Sequence, residues 1–143
     1  MVEALPENGA LERIFELAKT RTLVAIGPGL GTAPETRQMV QRLFADLDKP
    51  MVVDADALNC IADTDWHGGK SLRVLTPHPG EMGRLVKRKI AEIQADRIGV
   101  ARDLAAARGV TLVLPHALRG TAQQAFRLLT GAGSPCWQRR RGQ

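Results

Sequence analysis

The chain has 143 residues, enough for one domain with a sizeable core. No apolar run approaches the length of a membrane span and no basic-then-apolar leader opens the chain, so the sequence predicts a cytoplasmic protein with no membrane partner. Nor does the net charge of +5 imply nucleic acid: residues 1–114 hold 15 Lys/Arg and 15 Asp/Glu, and residues 115–143 hold five Arg and no acid, with only Arg139-Arg140-Arg141 clustered.

Residues 1–9 read as a lead-in loop, with Pro6, Asn8 and Gly9. Apolar residues at 11, 14, 15, 17 and 18 predict a helix over Leu11–Lys19. Leu23-Val24-Ala25-Ile26 is short, apolar and bounded by Gly and Pro, as a buried parallel strand is. The next helix, Ala33–Leu47, has Pro34 at its start, where proline is tolerated. Met51-Val52-Val53 is a second strand, Ala57–Ala62 a short helix, and Asp63–Lys70 a polar loop. A third strand, 72–75, is ended by Pro77 and Pro79, and Glu81–Val86 begins a helix. Lys87-Arg88-Lys89 is a charged joint. Gln94–Arg108 is amphipathic, with Ile98, Ala101, Leu104 and Ala105 inward and Gly109 as C-cap. Val110–Leu114 is the fourth strand. After Pro115 the punctuation is lost, leaving one weak helical stretch over Thr121–Leu129. Strands alternating with helices predict an α/β fold, a parallel sheet with flanking helices and right-handed crossovers.

Three polar motifs follow three of these strands, and in open α/β sheets ligands bind beyond the carboxyl ends of the strands. The loop Gly27-Pro28-Gly29-Leu30-Gly31 either exposes backbone N–H groups to an anion or is only a tight turn; its spacing is not the dinucleotide fingerprint. Of Asp54 and Asp56, one can point into the crevice while the other caps the helix carrying Asn59, or both satisfy local N–H groups. His78 is held between Pro77 and Pro79, a placement that favours function over structure. Glu81 stands at a helix start, where the dipole favours a carboxylate, and it could hold a hydrated Mg²⁺ near a phosphate. Cys60 and Cys136 are too few for a disulfide framework and lack ligand spacing, so free thiols are expected.

Taken in series, AIGPGLG, VVDADALN, LTPHPGEMGRL and QADRIGVARDLA leading to VTLVL resemble the ADP/ATP-dependent NAD(P)H-hydrate dehydratases of the ribokinase-like superfamily, over residues 21–114. The resemblance implies a partial ribokinase-like fold and repair of hydrated NADH or NADPH. The hydrate's hydroxyl would be phosphorylated from ADP or ATP with Mg²⁺, and phosphate then eliminated. It implies a dinucleotide substrate bound by Gly27, Gly29, Gly31, Asp54, Asn59 and His78, with Glu81 placing the metal, in a homo-oligomeric family.

The departures from the family pattern are equally specific. A Lys-Gly-x-x-Thr nucleotide segment should follow the VTLVL strand, where this chain has Pro115-His116-Ala117. The later Gly-Gly-Ser-Gly-Asp loop with the catalytic Asp is absent, and no Asp or Glu follows Asp103. The expectation is therefore a dehydratase domain over residues 1–114, truncated at both ends, and a divergent basic tail over 115–143 outside the core, with no catalytic residue in the chain and no turnover by it alone. A vitamin-type small-molecule kinase of the same superfamily, or a non-catalytic nucleotide-binding module, are the rival readings; His78 where those kinases carry Asn argues against the first.

Overall fold

The computed structural model describes residues 9–117 and 124–130. Three short apolar runs and one longer one pair in parallel: β1 (Val24–Ile26), β2 (Met51–Val53), β3 (Arg73–Leu75) and β4 (Thr111–Ala117). Strand order in the sheet is the order in the chain. Each crossover therefore steps one strand in the same direction, and right-handed crossovers put all their helices on one face. Burial follows: Met51, Val53, Arg73, Leu75 and Leu112 are buried, whereas Val52 and Val74 are half-buried and Ala25 is exposed.

The helices are α1 (Ala10–Lys19), α2 (Pro34–Asp46), α3 (Ala55–Ala62), α4 (Pro79–Val86), α5 (Ile90–Ala95) and α6 (Arg97–Arg108). Leu43 and Phe44 from α2, Leu58 and Ile61 from α3, and Met82 from α4 meet the buried strand residues in one core. Burying a side chain of that size contributes about 1.5–3 kcal/mol.

Two expectations are corrected. The helix expected over Gln94–Arg108 is broken at Asp96, whose Oδ1 accepts a hydrogen bond from the Gly99 N–H (2.9 Å) and starts α6 afresh. Short acidic side chains compete for backbone donors in this way. Ile98 is half-buried, and Val100 takes the inward place expected for it. The weak helix expected over Thr121–Leu129 is instead a strand where it is described: β5 (Gln124–Thr130) pairs antiparallel with β4, from Thr111↔Thr130 to Ala117↔Gln124. Seven backbone pairings along an otherwise open sheet edge outweigh a weak helical pattern. Residues 1–8, 118–123 and 131–143, and with them the lead-in loop, Cys136 and the basic run, lie outside the described residues.

Among the described residues a guanidinium is fully buried with only carbonyls as hydrogen-bonding partners. Arg73, on β3, is 1% exposed. Its Nε donates to the Phe44 carbonyl (2.8 Å) and Nη2 to Leu47 (2.6 Å). Its Nη1 donates to Lys49 (2.9 Å) and Ser71 (3.0 Å). Phe44 and Leu47 close α2, so the guanidinium satisfies carbonyls a helix end would leave unpaired and sits at the negative end of its dipole. It also lies 5.6 Å from the centroid of the Phe44 ring. Burial pulls its pKa below the ordinary guanidinium value, with Asp48 opposing. Gly69 completes the enclosure: a Cβ there would overlap the Phe44 carbonyl and the Arg73 guanidinium.

The polar loop 63–70 is anchored rather than loose. Trp66 is buried edge-on against Phe44 (5.7 Å), and Arg108 lies over its indole at 5.2 Å. Arg108 also bonds Asp65 and holds that carboxyl below its usual range.

Replacing Arg73 by Met should cost about 3–5 kcal/mol, because it leaves several buried carbonyls unpaired while keeping the volume. Arg73→Lys should recover little, since one ammonium cannot span that set. Urea unfolding at unchanged m-value measures the difference; a loss under about 1 kcal/mol for Arg73→Met would show the carbonyls find other partners.

Candidate functional site

Register brings the three motifs level. Ile26, Val53 and Leu75 are aligned across β1, β2 and β3. Asp54 N–H donates to the Ile26 carbonyl (3.1 Å) and Thr76 N–H to that of Val53 (3.2 Å), so the three loops leave one edge side by side. Gly27 is buried there, at φ 147, and a Cβ would fall inside the Asp54 carbonyl. Leu30 N–H closes a turn onto the Gly27 carbonyl (3.3 Å), with Pro28 second and Gly29 third at φ 77, the residue pattern of a type II turn. Gly29 and Gly31 (φ 72) are exposed, with open space where a Cβ would stand. The turn therefore has a packed side and an open side.

Of the two aspartates, Asp54 is the N-cap residue of α3 but makes no side-chain capping bond. Asp56 reaches back instead: its Oδ2 accepts from the Gly31 N–H at 2.8 Å. Between them Ala55 has φ 48, a left-handed conformation that costs a non-glycine residue roughly 1–2 kcal/mol. Asn59, one turn on, accepts from Arg84 at its Oδ1 (2.6 Å) and from Arg37 at its carbonyl (3.4 Å). Arg37 is also bonded to the Thr32 carbonyl and to Asp63. Thr32, Arg37, Asp56, Asn59, Asp63 and Arg84 line a polar cleft of about 550 Å³. The two arginines escaped the sequence reading because nothing in their spacing marks them.

His78 and Glu81 form a reciprocal cap on α4. His78 Nδ1 accepts from the N–H groups of Gly80 (2.9 Å) and Glu81 (3.3 Å), and Glu81 Oε2 accepts from the His78 N–H (2.9 Å). The second carboxylate oxygen, Oε1, is 3.2 Å from His78 Nε2. With Nδ1 an acceptor, Nε2 is the ring nitrogen left to carry the proton. The imidazole is 61% exposed while the Glu81 side chain is 7% exposed. His78 shares the sheet edge with the glycine turn, but these contacts run within its own helix and not across to Gly31 or Asp54. Both Glu81 oxygens are thus engaged, and among the described residues no group of three or more His, Cys, Asp or Glu could hold a metal ion. A hydrated Mg²⁺ takes one or two carboxylates together with substrate phosphates, and Glu81 is the carboxylate expected there.

Beneath the turn, Cys60 Sγ is 3.7 Å from the Gly31 carbonyl and the residue is buried. Burial pushes its thiol above the ordinary 9.0, with Arg37 pulling the other way.

A glycine turn, an Asp-x-Asp helix start and a proline-bounded histidine stand level at the carboxyl edge of the parallel sheet of an α/β domain, the edge at which open sheets of this class take their ligands. A family model described as NAD(P)H-hydrate dehydratase (Carb_kinase) matches residues 1–142, and the chain belongs to that family. Among curated relatives, the bifunctional NAD(P)H-hydrate repair enzyme Nnr of Thermofilum pendens is 40% identical over 111 residues, covering 76% of this chain and 21% of its own length. The Nnr of Moorella thermoacetica is 42% identical over 127 residues, covering 82% and 24%. The chain thus spans about a fifth to a quarter of the curated relatives it matches. A Bacillus subtilis ADP/ATP-dependent NAD(P)H-hydrate dehydratase co-crystallised with ATP/Mg²⁺ superposes with a TM-score of 0.57 at 33% identity, covering 66% of this chain and 33% of that one. Bacillus subtilis YxkO, described as a putative kinase, gives 0.61 at 30% identity, covering 75% and 39%.

Two outcomes follow from the packed side of the turn. Gly27→Ala should destabilise the chain by roughly 1–3 kcal/mol or more, since backbone must move to admit the methyl group; a Tm within about 1 °C of the parent would contradict the packing. Iodoacetamide at about pH 8 should leave Cys60 unlabelled in the folded chain and label it in urea. A raised folded-state pKa means that the thiol's contribution to stability is full below about 9 and is lost as pH rises through the folded value. The fall in urea midpoint from about pH 8 to about pH 10 should accordingly be smaller in Cys60→Ala.

Proposed function

We propose that this chain forms the substrate-side wall of an NAD(P)H-hydrate dehydratase and binds a hydrated nicotinamide dinucleotide at the carboxyl edge of β1–β3. The observation that carries the reading is the alignment of the Gly27–Gly31 turn, the Asp54–Asn59 segment and the Thr76–Glu81 loop at one edge. An open glycine face beside a polar cleft suits a ligand with a flat ring, hydroxyls and phosphates. In this reading Gly27, Gly29 and Gly31 shape the floor, Asp54 and Asn59 line the wall, and His78 closes the far end through its exposed ring. Glu81 acts by fixing that ring.

The family's names supply the rest of the proposal. Relatives are NAD(P)H-hydrate repair enzymes, and the Bacillus subtilis neighbour is described as ADP/ATP-dependent and was crystallised with ATP/Mg²⁺. Nucleotide would serve as phosphate donor and the repair would be cytoplasmic. Phosphoryl transfer depends on positioning and charge stabilisation of the donor's phosphates. Pro115-His116-Ala117 offers neither lysine nor glycine for that task, and no carboxylate follows Asp103 to act as base. Hence this chain binds the substrate without turning it over, and its ligand chemistry resides in residues 1–114 rather than 115–143.

Calorimetry with hydrated NADH should show saturable binding that His78→Ala weakens about tenfold. Turnover should stay at background with ADP or ATP and Mg²⁺, since loss of a general base alone costs about 10²–10⁴ in rate. Turnover well above background, abolished by His78→Ala, would overturn the non-catalytic reading. Absence of any dinucleotide binding would overturn the proposal itself.

A further inference from the structure

We infer that the glycine turn is not an anion cradle at Gly31, and that the Gly31–Asp56 corner instead receives a neutral hydrogen-bond donor, a ribose hydroxyl or carboxamide N–H₂ of the ligand, with Asp56 as its acceptor. This rests on the reading that the sheet edge binds a dinucleotide, and it says which part of that molecule goes where. A glycine turn between a strand and a helix ordinarily suggests phosphate, because its N–H groups are exposed. Here the Gly31 N–H is already taken by the Asp56 carboxylate, 25 residues away in sequence, at 2.8 Å. An anion approaching that amide would meet a carboxylate.

The placement of Asp56 is built, not incidental. Asp54 donates its backbone N–H to β1 and packs its carbonyl on Gly27, which ties this end of α3 to the turn. Ala55 holds a left-handed φ of 48, and strain of this kind persists only where the surroundings over-determine it. The next residue, Asp56, then points back to Gly31, and one turn later Cys60 faces the Gly31 carbonyl. Gly31 is thereby held from α3 at both its N–H and its carbonyl.

What remains for a ligand follows from lone pairs. A carboxylate has about four acceptor positions, and the Gly31 amide uses one. Asp56 also lines the polar cleft, so its remaining acceptors face solvent where a ligand would lie. They suit O–H or amide N–H donors. The cleft's two arginines are matched by two aspartates: Arg37 is paired with Asp63, and Arg84, bonded to the neutral Asn59, leaves one cation in the cleft against the Asp56 carboxylate.

The test uses the whole 143-residue chain, labelled with ¹⁵N, and follows the Gly31 amide by NMR. Two probes separate the chemistries: the reduced, uncharged dihydronicotinamide riboside, which has hydroxyls and a carboxamide but no phosphate, and inorganic pyrophosphate. The riboside should shift the Gly31 amide and saturate; pyrophosphate should not move it. Asp56→Asn keeps an acceptor for Gly31 but replaces the other with a donor, so riboside affinity should fall about tenfold with the Gly31 signal near its native position. Asp56→Ala frees the amide, and pyrophosphate should then shift it. A pyrophosphate shift of Gly31 in the unsubstituted chain, or equal riboside affinity in Asp56→Asn, would overturn the inference. So would a riboside that fails to bind although hydrated NADH binds, an outcome that leaves the dinucleotide reading standing. Riboside binding without hydrated NADH binding would uphold the corner and remove the dinucleotide.

Discussion

The buried guanidinium of Arg73 is the constraint on which the rest of the structure depends. It joins the end of α2, the link into β2 and the start of β3 through carbonyls of Phe44, Leu47, Lys49 and Ser71. Its hydrogen bonds all go to carbonyls, so desolvation is offset by those bonds and by the helix dipole rather than by a bonded carboxylate. The strands it fixes are only three residues long. With so little ladder to set register, a polar anchor at the amino end governs where the loops emerge at the carboxyl end.

That control reaches the site. Three-residue strands leave no length over which an error in register could be absorbed, and a slip of one residue would reverse which side chains face the core. With Met51 opposite Arg73 and Val53 opposite Leu75, Asp54 and Thr76 come level. The edge is further locked at Gly27, where backbone meets backbone. Helix α3 works as the clamp for the whole edge, since Asp56, Asn59 and Cys60 reach the glycine turn or the cleft from successive positions along it. The site is thus organised more by the packing of one short helix than by the loops themselves.

The family match runs over residues 1–142. Residues around the three aligned loops provide the features of a ligand-binding edge, and the cap between His78 and Glu81 shows how one such residue is oriented by a neighbour three positions on. Among the described residues no group of three or more His, Cys, Asp or Glu could hold a metal ion.

Periodicity alone determined the parallel α/β class, the four strands and their loops, because short apolar runs ended by Gly and Pro have few other readings. The motif series was specific enough to point to the family. The two misread helical stretches show the limit. At Asp96 a local side chain captured a backbone donor, and at 124–130 an open sheet edge captured a segment whose own preference was weak. The roles within the site were decided only by tertiary structure. Nothing in the sequence distinguishes the aspartate that leaves its helix uncapped from the one that clamps Gly31, since both lie in the same Asp-Ala-Asp. Nor does an arginine in a strand announce that it will be buried against a helix end. Those outcomes depend on which backbone groups the fold leaves unpaired nearby, which local spacing does not encode.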